Sequence, residues 1–169
     1  SGINFHLGNE KIKITHVEKV DDDFNARFTA KLKTYHYQIY NSISPSVLQD
    51  EVSVHIKQLL DIKAMKAATQ FLIGKYDFSS FRARGCQAKT PIRNINMANI
   101  VHEGKKIIFI FQAQSFLYQQ IRIMVGSLLE VGLKNKDPSW ISDLLGQKNR
   151  SLAGPTMPAK GLVLNKIEY

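Results

Sequence analysis

Polar and apolar residues alternate through Lys11-Ile12-Lys13-Ile14-Thr15-His16-Val17, the period-two pattern of a strand with one wet face. After the acidic turn Asp21-Asp22-Asp23, a β-prone stretch runs from Arg27 to Tyr40. Phe28, Ala30 and Leu32 share one parity in it and Tyr35, Tyr37 and Ile39 take the other, so a bulge or break is predicted near Lys33-Thr34. Ser42 to Ser46, with Pro45, is a loop, and Val47 to Leu60 fits either a short strand or irregular structure. Asp61 is the candidate N-cap of a helix with Ile62, Met65, Ala68 and Leu72 on one face, and Gly74 stands where a left-handed terminal residue is wanted.

Periodicity fades from Lys75 to Arg93, where Arg82, Arg84, Lys89 and Arg93 surround Gly85 and Pro91, the profile of a long, exposed, basic loop. Ile92 to Val101 and Ile107 to Ala113 then form a predicted hairpin joined by His102-Glu103-Gly104-Lys105. Phe116 to Leu133 carries Leu117, Ile121, Met124, Val125, Leu128 and Leu129 at helical spacing and stops at Gly132. A shorter helix is capped by Asp137, has Pro138 in its first turn, turns Trp140, Ile141, Leu144 and Leu145 inward and ends at Gly146. Arg150 to Lys160 is loop and Gly161 to Tyr169 a final strand. Hairpins outnumber strand-helix alternations, which predicts an α+β fold, a largely antiparallel sheet with helices packed on one face, rather than a doubly wound parallel sheet.

At 169 residues, 44% of them hydrophobic and 22% charged, the chain has the length and composition of one soluble globular domain. No apolar run is long enough to span a bilayer and the first residues lack the regions of a signal peptide, so the expected setting is the cytoplasm, with no membrane partner. The single cysteine, Cys86, excludes an internal disulfide framework, a zinc ribbon and an iron-sulfur cluster held within the chain. Charge changes the picture more. With 23 Lys+Arg against 14 Asp+Glu the net charge is +9, which makes a polyanion the first partner to consider, and no long basic amphipathic helix favours a membrane over nucleic acid.

The five histidines form no pair at helical spacing, and no glycine-rich phosphate loop, dinucleotide fingerprint or nucleophile elbow occurs, so neither a metal nor another cofactor is expected. Adjacent acids in Asp21-Asp22-Asp23 are read as a solvated face. The basic loop is a better candidate, since arginines grip phosphates and stack on unpaired bases, with Phe78 and Phe81 as aromatic material; the alternative has both rings packed beneath the loop. Tyr35 and Tyr37 share a strand face, where an exposed tyrosine would stack on a base and offer its hydroxyl, or else simply fill the core. Arg122 lies beside Ile121, one turn after Tyr118, and a buried guanidinium there requires an anion, structural or catalytic.

An ordered series of segments resembles one known family. It runs through Gly2-Ile3-Asn4, Asp23-Phe24-Asn25-Ala26-Arg27-Phe28-Thr29-Ala30, Tyr35-His36-Tyr37 with Tyr40-Asn41, and Gly74-Lys75-Tyr76-Asp77-Phe78-Ser79-Ser80-Phe81-Arg82. It continues through Cys86, Thr90-Pro91-Ile92-Arg93, Ser115-Phe116-Leu117-Tyr118-Gln119-Gln120-Ile121-Arg122-Ile123-Met124-Val125-Gly126, and Ala159-Lys160-Gly161-Leu162. The chain is similar to the C-terminal part of the bacterial tRNA pseudouridine synthase A (TruA) family. The resemblance implies a cofactor-free isomerase of uridines in the tRNA anticodon stem-loop, a homodimer holding RNA in basic clefts. Residues 1–169 would be its C-terminal catalytic and RNA-binding portion. By the same resemblance Tyr35 is the active-site tyrosine against the target base and Arg122 the partner of the catalytic aspartate. Arg27 lies near the RNA or the pocket rim, and Arg82, Arg84, Lys89 and Arg93 belong to a substrate-side loop. The family's aspartate sits in a Gly-Arg-Thr-Asp-Ala-Gly-Val-His segment that has no counterpart here, so this chain alone is expected to be inactive. From a different class, a non-catalytic RNA-binding module would use the same sheet and loop, although the aromatic strand signature of an RNA recognition motif is missing.

Overall fold

In the computed structural model, which describes residues 2–49 and 51–169, a six-stranded sheet carries three helices over one face. The elements in chain order are α1 (Gly2–Leu7), β1 (Leu32–Asn41), β2 (Val54–Ile56), α2 (Ile62–Gln70), β3 (Gly74–Asp77), β4 (Ile92–Glu103), β5 (Lys106–Ala113), α3 (Gln120–Gly132), α4 (Trp140–Gln147) and β6 (Leu162–Glu168). Strand order is β2-β1-β5-β4-β3, and the outer edge of β1 is shared end to end by β6 and β2. Every pairing is antiparallel except β1 with β2. The α+β architecture follows, as expected from the hairpin-rich order.

Alternation builds the centre. Along β5, Ile107, Phe109, Phe111 and Ala113 are buried while the residues between them are half-exposed. Tyr37 and Ile39 of β1 stand opposite Phe109 and Ile107, and Ala98 and Ile100 of β4 opposite Phe111 and Phe109. Met65, Ala68 and Leu72 from the α2 region and almost the whole circumference of α3 close over them. Each such fully buried large side chain contributes about 1.5–3 kcal/mol of transfer free energy. The break predicted near Lys33-Thr34 is not in β1, which pairs with β5 without interruption from Lys33 to Tyr40. The parities conflict because Phe28 and Ala30 precede the strand, and the register shift against β6 between Thr34 and Tyr35 leaves Asn165 of β6 as the extra residue. A second bulge falls between Ile95 and Met97, where inward parity passes from Ile95 to Ala98 and Ile100.

Several expectations are corrected. Lys11 to Val17 is not a strand: no sheet edge accepts its backbone, and Ile12 and Val17 are 58% and 70% exposed. The Asn4 amide stands in for a neighbour, donating to the Ile14 carbonyl at 2.8 Å and accepting from its N–H at 2.7 Å. The long β-prone stretch starts only at Leu32, because Asn25 Oδ1 folds Arg27 and Phe28 into a turn by accepting from both N–H groups. Asp61 does cap α2, accepting from Ala64 N–H at 2.9 Å, but the helix ends at Gln70, and Gly74 (φ +121°) opens β3 instead.

The supposed long loop is mostly structured. It holds β3 and a 3-10 turn, Ser79–Phe81, with Phe78 and Phe81 fully buried, so packing beneath the loop is the correct alternative and only residues 82–91 are irregular. Left-handed Gln119 (φ +59°) delays α3 to Gln120, whose side chain accepts from the Leu117 N–H at 2.7 Å. The left-handed residues after α3 and α4 are Lys134 and Lys148, not Gly132 and Gly146. Gly132 is needed for closeness instead, since a Cβ there would lie 2.6 Å from Met65 Sδ.

Candidate active site

A cavity of about 880 Å3 opens where β1, the 25–29 turn, loop 82–91 and the lead into α3 converge. Tyr35 forms part of its wall. The ring meets Phe116 edge-on, with centroids 5.5 Å apart and planes at 89°, which holds the half-buried phenol in one orientation. Its hydroxyl has no hydrogen-bond partner among the described residues, and burial pushes its pKa up, so at neutral pH it is a protonated, uncommitted donor.

Two residues along the same strand, Tyr37 is sealed in the core and its hydroxyl donates to the Pro158 carbonyl at 2.7 Å. Burial raises its pKa strongly, opposed in part by the nearby Arg122 charge. Arg122, in the first turn of α3, donates through Nε to the Met157 carbonyl at 2.5 Å, while its own carbonyl accepts from Met157 N–H at 3.2 Å. Among the described residues its terminal nitrogens have no acceptor and no carboxylate pairs with it. Arg122 and Tyr37 thus bond to the adjoining carbonyls of Met157 and Pro158, and Tyr37 is two residues along β1 from Tyr35. The cavity wall includes its neighbour Ile121 but not Arg122 itself.

Segment 153–158 reaches Arg122 because two glycines let the backbones touch. A Cβ on Gly126 of α3 would sit 1.9 Å from the Pro155 carbonyl oxygen, and one on Gly154 would sit 2.6 Å from the Gly126 backbone. Gly154 N–H donates to Ser127 Oγ at 2.9 Å, and Arg150 donates to the Gly154 carbonyl and Thr156 Oγ1, both at 3.0 Å. The carbonyls that meet Arg122 and Tyr37 are thus set by packing on α3.

The sequence-predicted cations divide by role. Arg27 and Arg93 line the cavity with Tyr35. Arg27 lies 5.4 Å from the Phe28 ring centre, and Arg93 donates to the Thr90 and Ile92 carbonyls while its shielded Nε has no partner among the described residues. Arg82 is outside the cavity wall and shapes the loop by donating to the Cys86 and Ala88 carbonyls at 2.9 and 2.7 Å. Arg84 and Lys89 are exposed on the same loop without lining the hollow.

Sequence reasoning missed other wall residues. Phe28 and Tyr118 are 74% and 56% exposed there, and the Cys86 thiol accepts from Tyr118 N–H at 3.4 Å. Burial alone would raise the Cys86 pKa; the N–H groups of Tyr118 and Ala88, with Arg82, outweigh it and bring the value down. An aromatic beside a cation in Arg27-Phe28 was a signal available in the sequence, whereas Tyr118 owes its place to the left-handed turn at Gln119. Among the described residues no group of three or more His, Cys, Asp and Glu side chains is placed to hold a metal, and no helix is long and apolar enough to cross a membrane.

Comparison with known proteins bears on this cavity. A family profile described as tRNA pseudouridine synthase matches residues 68–169. The tRNA pseudouridine synthase A of Ehrlichia canis (strain Jake) is 41% identical over 100% of this chain and 69% of its own length. Its namesake from Haemophilus ducreyi is 45% identical over 99% of this chain and 64% of its own length. The protein of that name from Buchnera aphidicola subsp. Acyrthosiphon pisum (strain APS) is 43% identical, with shares of 99% and 63%. The chain thus spans about two thirds of the length of these curated relatives.

Proposed function

The chain belongs to the tRNA pseudouridine synthase family, and on that premise we propose that residues 1–169 are the C-terminal catalytic and RNA-binding portion of an isomerase that converts uridine in tRNA to pseudouridine. The observation that carries this reading is the convergence of an unpaired phenol, exposed aromatic rings and two guanidiniums on one open cavity. An enzyme acting on a base must take it out of its stack, and a stacking surface with phosphate-gripping cations lowers the cost of doing so.

The reaction breaks the N1–C1′ glycosidic bond, turns the uracil within the site, joins C5 to C1′, and transfers the C5 proton away while N1 ends protonated. A carboxylate from outside these 169 residues attacks. Arg122 keeps it ionised, because the free terminal nitrogens beside Tyr37 offer charge-assisted hydrogen bonds to an anion. Tyr35 lies against the base and takes part in proton transfer. Arg27 and Arg93 hold the flanking backbone, Arg84 and Lys89 add to the attraction of RNA, and Arg82 keeps the loop in shape.

Three finer features belong to the same proposal. The substrate region is the anticodon stem-loop, the setting is the cytoplasm, and the enzyme works as a homodimer. Exposed Ile43, Val47, Leu48 and Leu59, at 78–93% exposure, support a protein-protein face around the short β2 edge.

The test is tritium release from C5-labelled uridine in transcribed tRNA. The longer enzyme containing this chain turns over, Tyr35→Phe and Arg122→Gln abolish turnover while retaining tRNA binding, and the 169-residue chain alone is silent. Pseudouridine formation by the chain alone would place the attacking carboxylate among its own acidic residues and refute the site assignment.

A further inference from the structure

A second cavity of about 610 Å3 adjoins the first and shares Arg93 and Ser115 with it. Lys31, Asn94, Asn96 and Gln114 complete its polar lining, and Ile92 is the one apolar member. The three carboxamides are exposed and make no hydrogen bond among the described residues, whereas Asn41, Asn99 and Gln112 all bond to the protein.

The fold sets this wall deliberately. Asn96 is the extra residue of the β4 bulge, between Ile95 opposite Ala113 and Met97 opposite Gln112. The bulge lets one strand present Asn94 and Asn96 outward and still bury Ala98 and Ile100 further on. Exposed Lys75 on β3 is the cross-strand neighbour of Asn94, on the same face, and adds a cation at the margin.

Recognition of an unpaired base calls for a stacking platform, such as the first cavity has in Phe28 and Tyr118. None lines the second. A carboxamide both donates and accepts, which matches a ribose 2′-hydroxyl, also donor and acceptor. We propose that this groove is a sugar-phosphate subsite for the RNA nucleotide next to the one in the first cavity. Lys31 and Arg93 meet its phosphates, and Asn94, Asn96 and Gln114 meet its 2′-hydroxyl, so that the site tells RNA from DNA without reading the neighbouring base. The inference rests on the first cavity taking an extruded uridine.

The experiment measures equilibrium binding of the chain, by fluorescence anisotropy, to an RNA stem-loop with uridine in the loop, and to copies with one 2′-deoxy residue on either side of it. Wild type loses about fivefold in affinity for a deoxy residue at one flanking position, the net worth of about one hydrogen bond. It is indifferent to base changes there. Asn94→Ala, Asn96→Ala and Gln114→Ala bind the all-RNA probe correspondingly more weakly and lose sensitivity to the deoxy substitution. Gln114→Ala, beyond the end of β5, serves should Asn96→Ala disturb the bulge. Lys31→Ala weakens every probe alike and lowers the salt slope by about 0.7. Undiminished deoxy sensitivity in the amide variants, or discrimination among flanking bases, refutes the subsite alone. Absence of salt-dependent RNA binding refutes the functional reading with it.

Discussion

Replacing Gly126 by alanine should do more than fill a gap. Its Cβ would stand 1.9 Å from the Pro155 oxygen, about 1.5 Å short of ordinary contact, and both partners are backbone. Segment 154–158 must therefore lift off α3. Four hydrogen bonds lie in its path: Gly154 N–H to Ser127 Oγ, Met157 N–H to the Arg122 carbonyl, Arg122 Nε to the Met157 carbonyl, and the Tyr37 hydroxyl to the Pro158 carbonyl. Overpacking costs about 1–3 kcal/mol, and losing two of these bonds adds about 1 kcal/mol each. Against this, alanine gains about 1 kcal/mol over glycine as a helix former. The net loss is about 3 kcal/mol, a fall in melting temperature of about 6–12 °C for a domain of this size. Urea denaturation followed by circular dichroism gives the free energy, and a calorimetric scan gives the midpoint. Gly146→Ala is the control: it lies inside α4 with nothing within 4 Å of its Cβ, so it should stabilise by about 0.5–1 kcal/mol. A Gly126→Ala protein as stable as wild type would refute the claim that close backbone contact delivers the Arg122 partner.

Three further outcomes follow from single side chains. Burial would raise the Asp77 carboxyl, but Ser79, through N–H and Oγ, and Lys148 at 3.5 Å outweigh it and bring the pKa below its ordinary value. Its stabilisation is present above the unfolded carboxyl value near 4 and is lost as pH falls through the folded one; Asp77→Asn should flatten the loss of unfolding free energy between pH 5 and 2, and an unchanged slope would contradict it. Tyr35 and Tyr37 are held protonated by burial, so stability is full below the free tyrosine value near 10 and falls as the unfolded chain alone releases those protons. Tyr35→Phe should lessen that alkaline loss, as measured by urea midpoints from pH 9 to 11. Arg82→Ala removes the donor to the Cys86 and Ala88 carbonyls and a cation that favours the thiolate, so alkylation of Cys86 by iodoacetamide should need higher pH; an unaltered profile would show that Arg82 does not govern the loop.

What was legible in the sequence was local. Alternation on either side of His102-Glu103-Gly104-Lys105 made the hairpin readable and the Asp61 side chain marked the start of α2, whereas the conflicting parity before Tyr35 marked the turn that precedes β1 and not a break within it. Hydrophobic spacing and capping act within a few residues, so one chain segment carries the whole signal. Lys11 to Val17 failed for the converse reason: a period of two specifies a strand only where another strand offers it an edge.

Only the tertiary structure showed which of the candidate residues share a cavity. Composition made a polyanion the first partner to consider and the motif order pointed to Tyr35, Arg27, Arg93 and Arg122, yet nothing local distinguishes Arg82, spent on its own loop, from Arg93 at the junction of two cavities. Arg122 meets Met157 and Tyr37 meets Pro158 across long stretches of chain, through a glycine contact invisible to any periodicity. Side-chain chemistry is written residue by residue, but which groups share a hollow depends on how distant backbones pack, and that is settled only when the core closes.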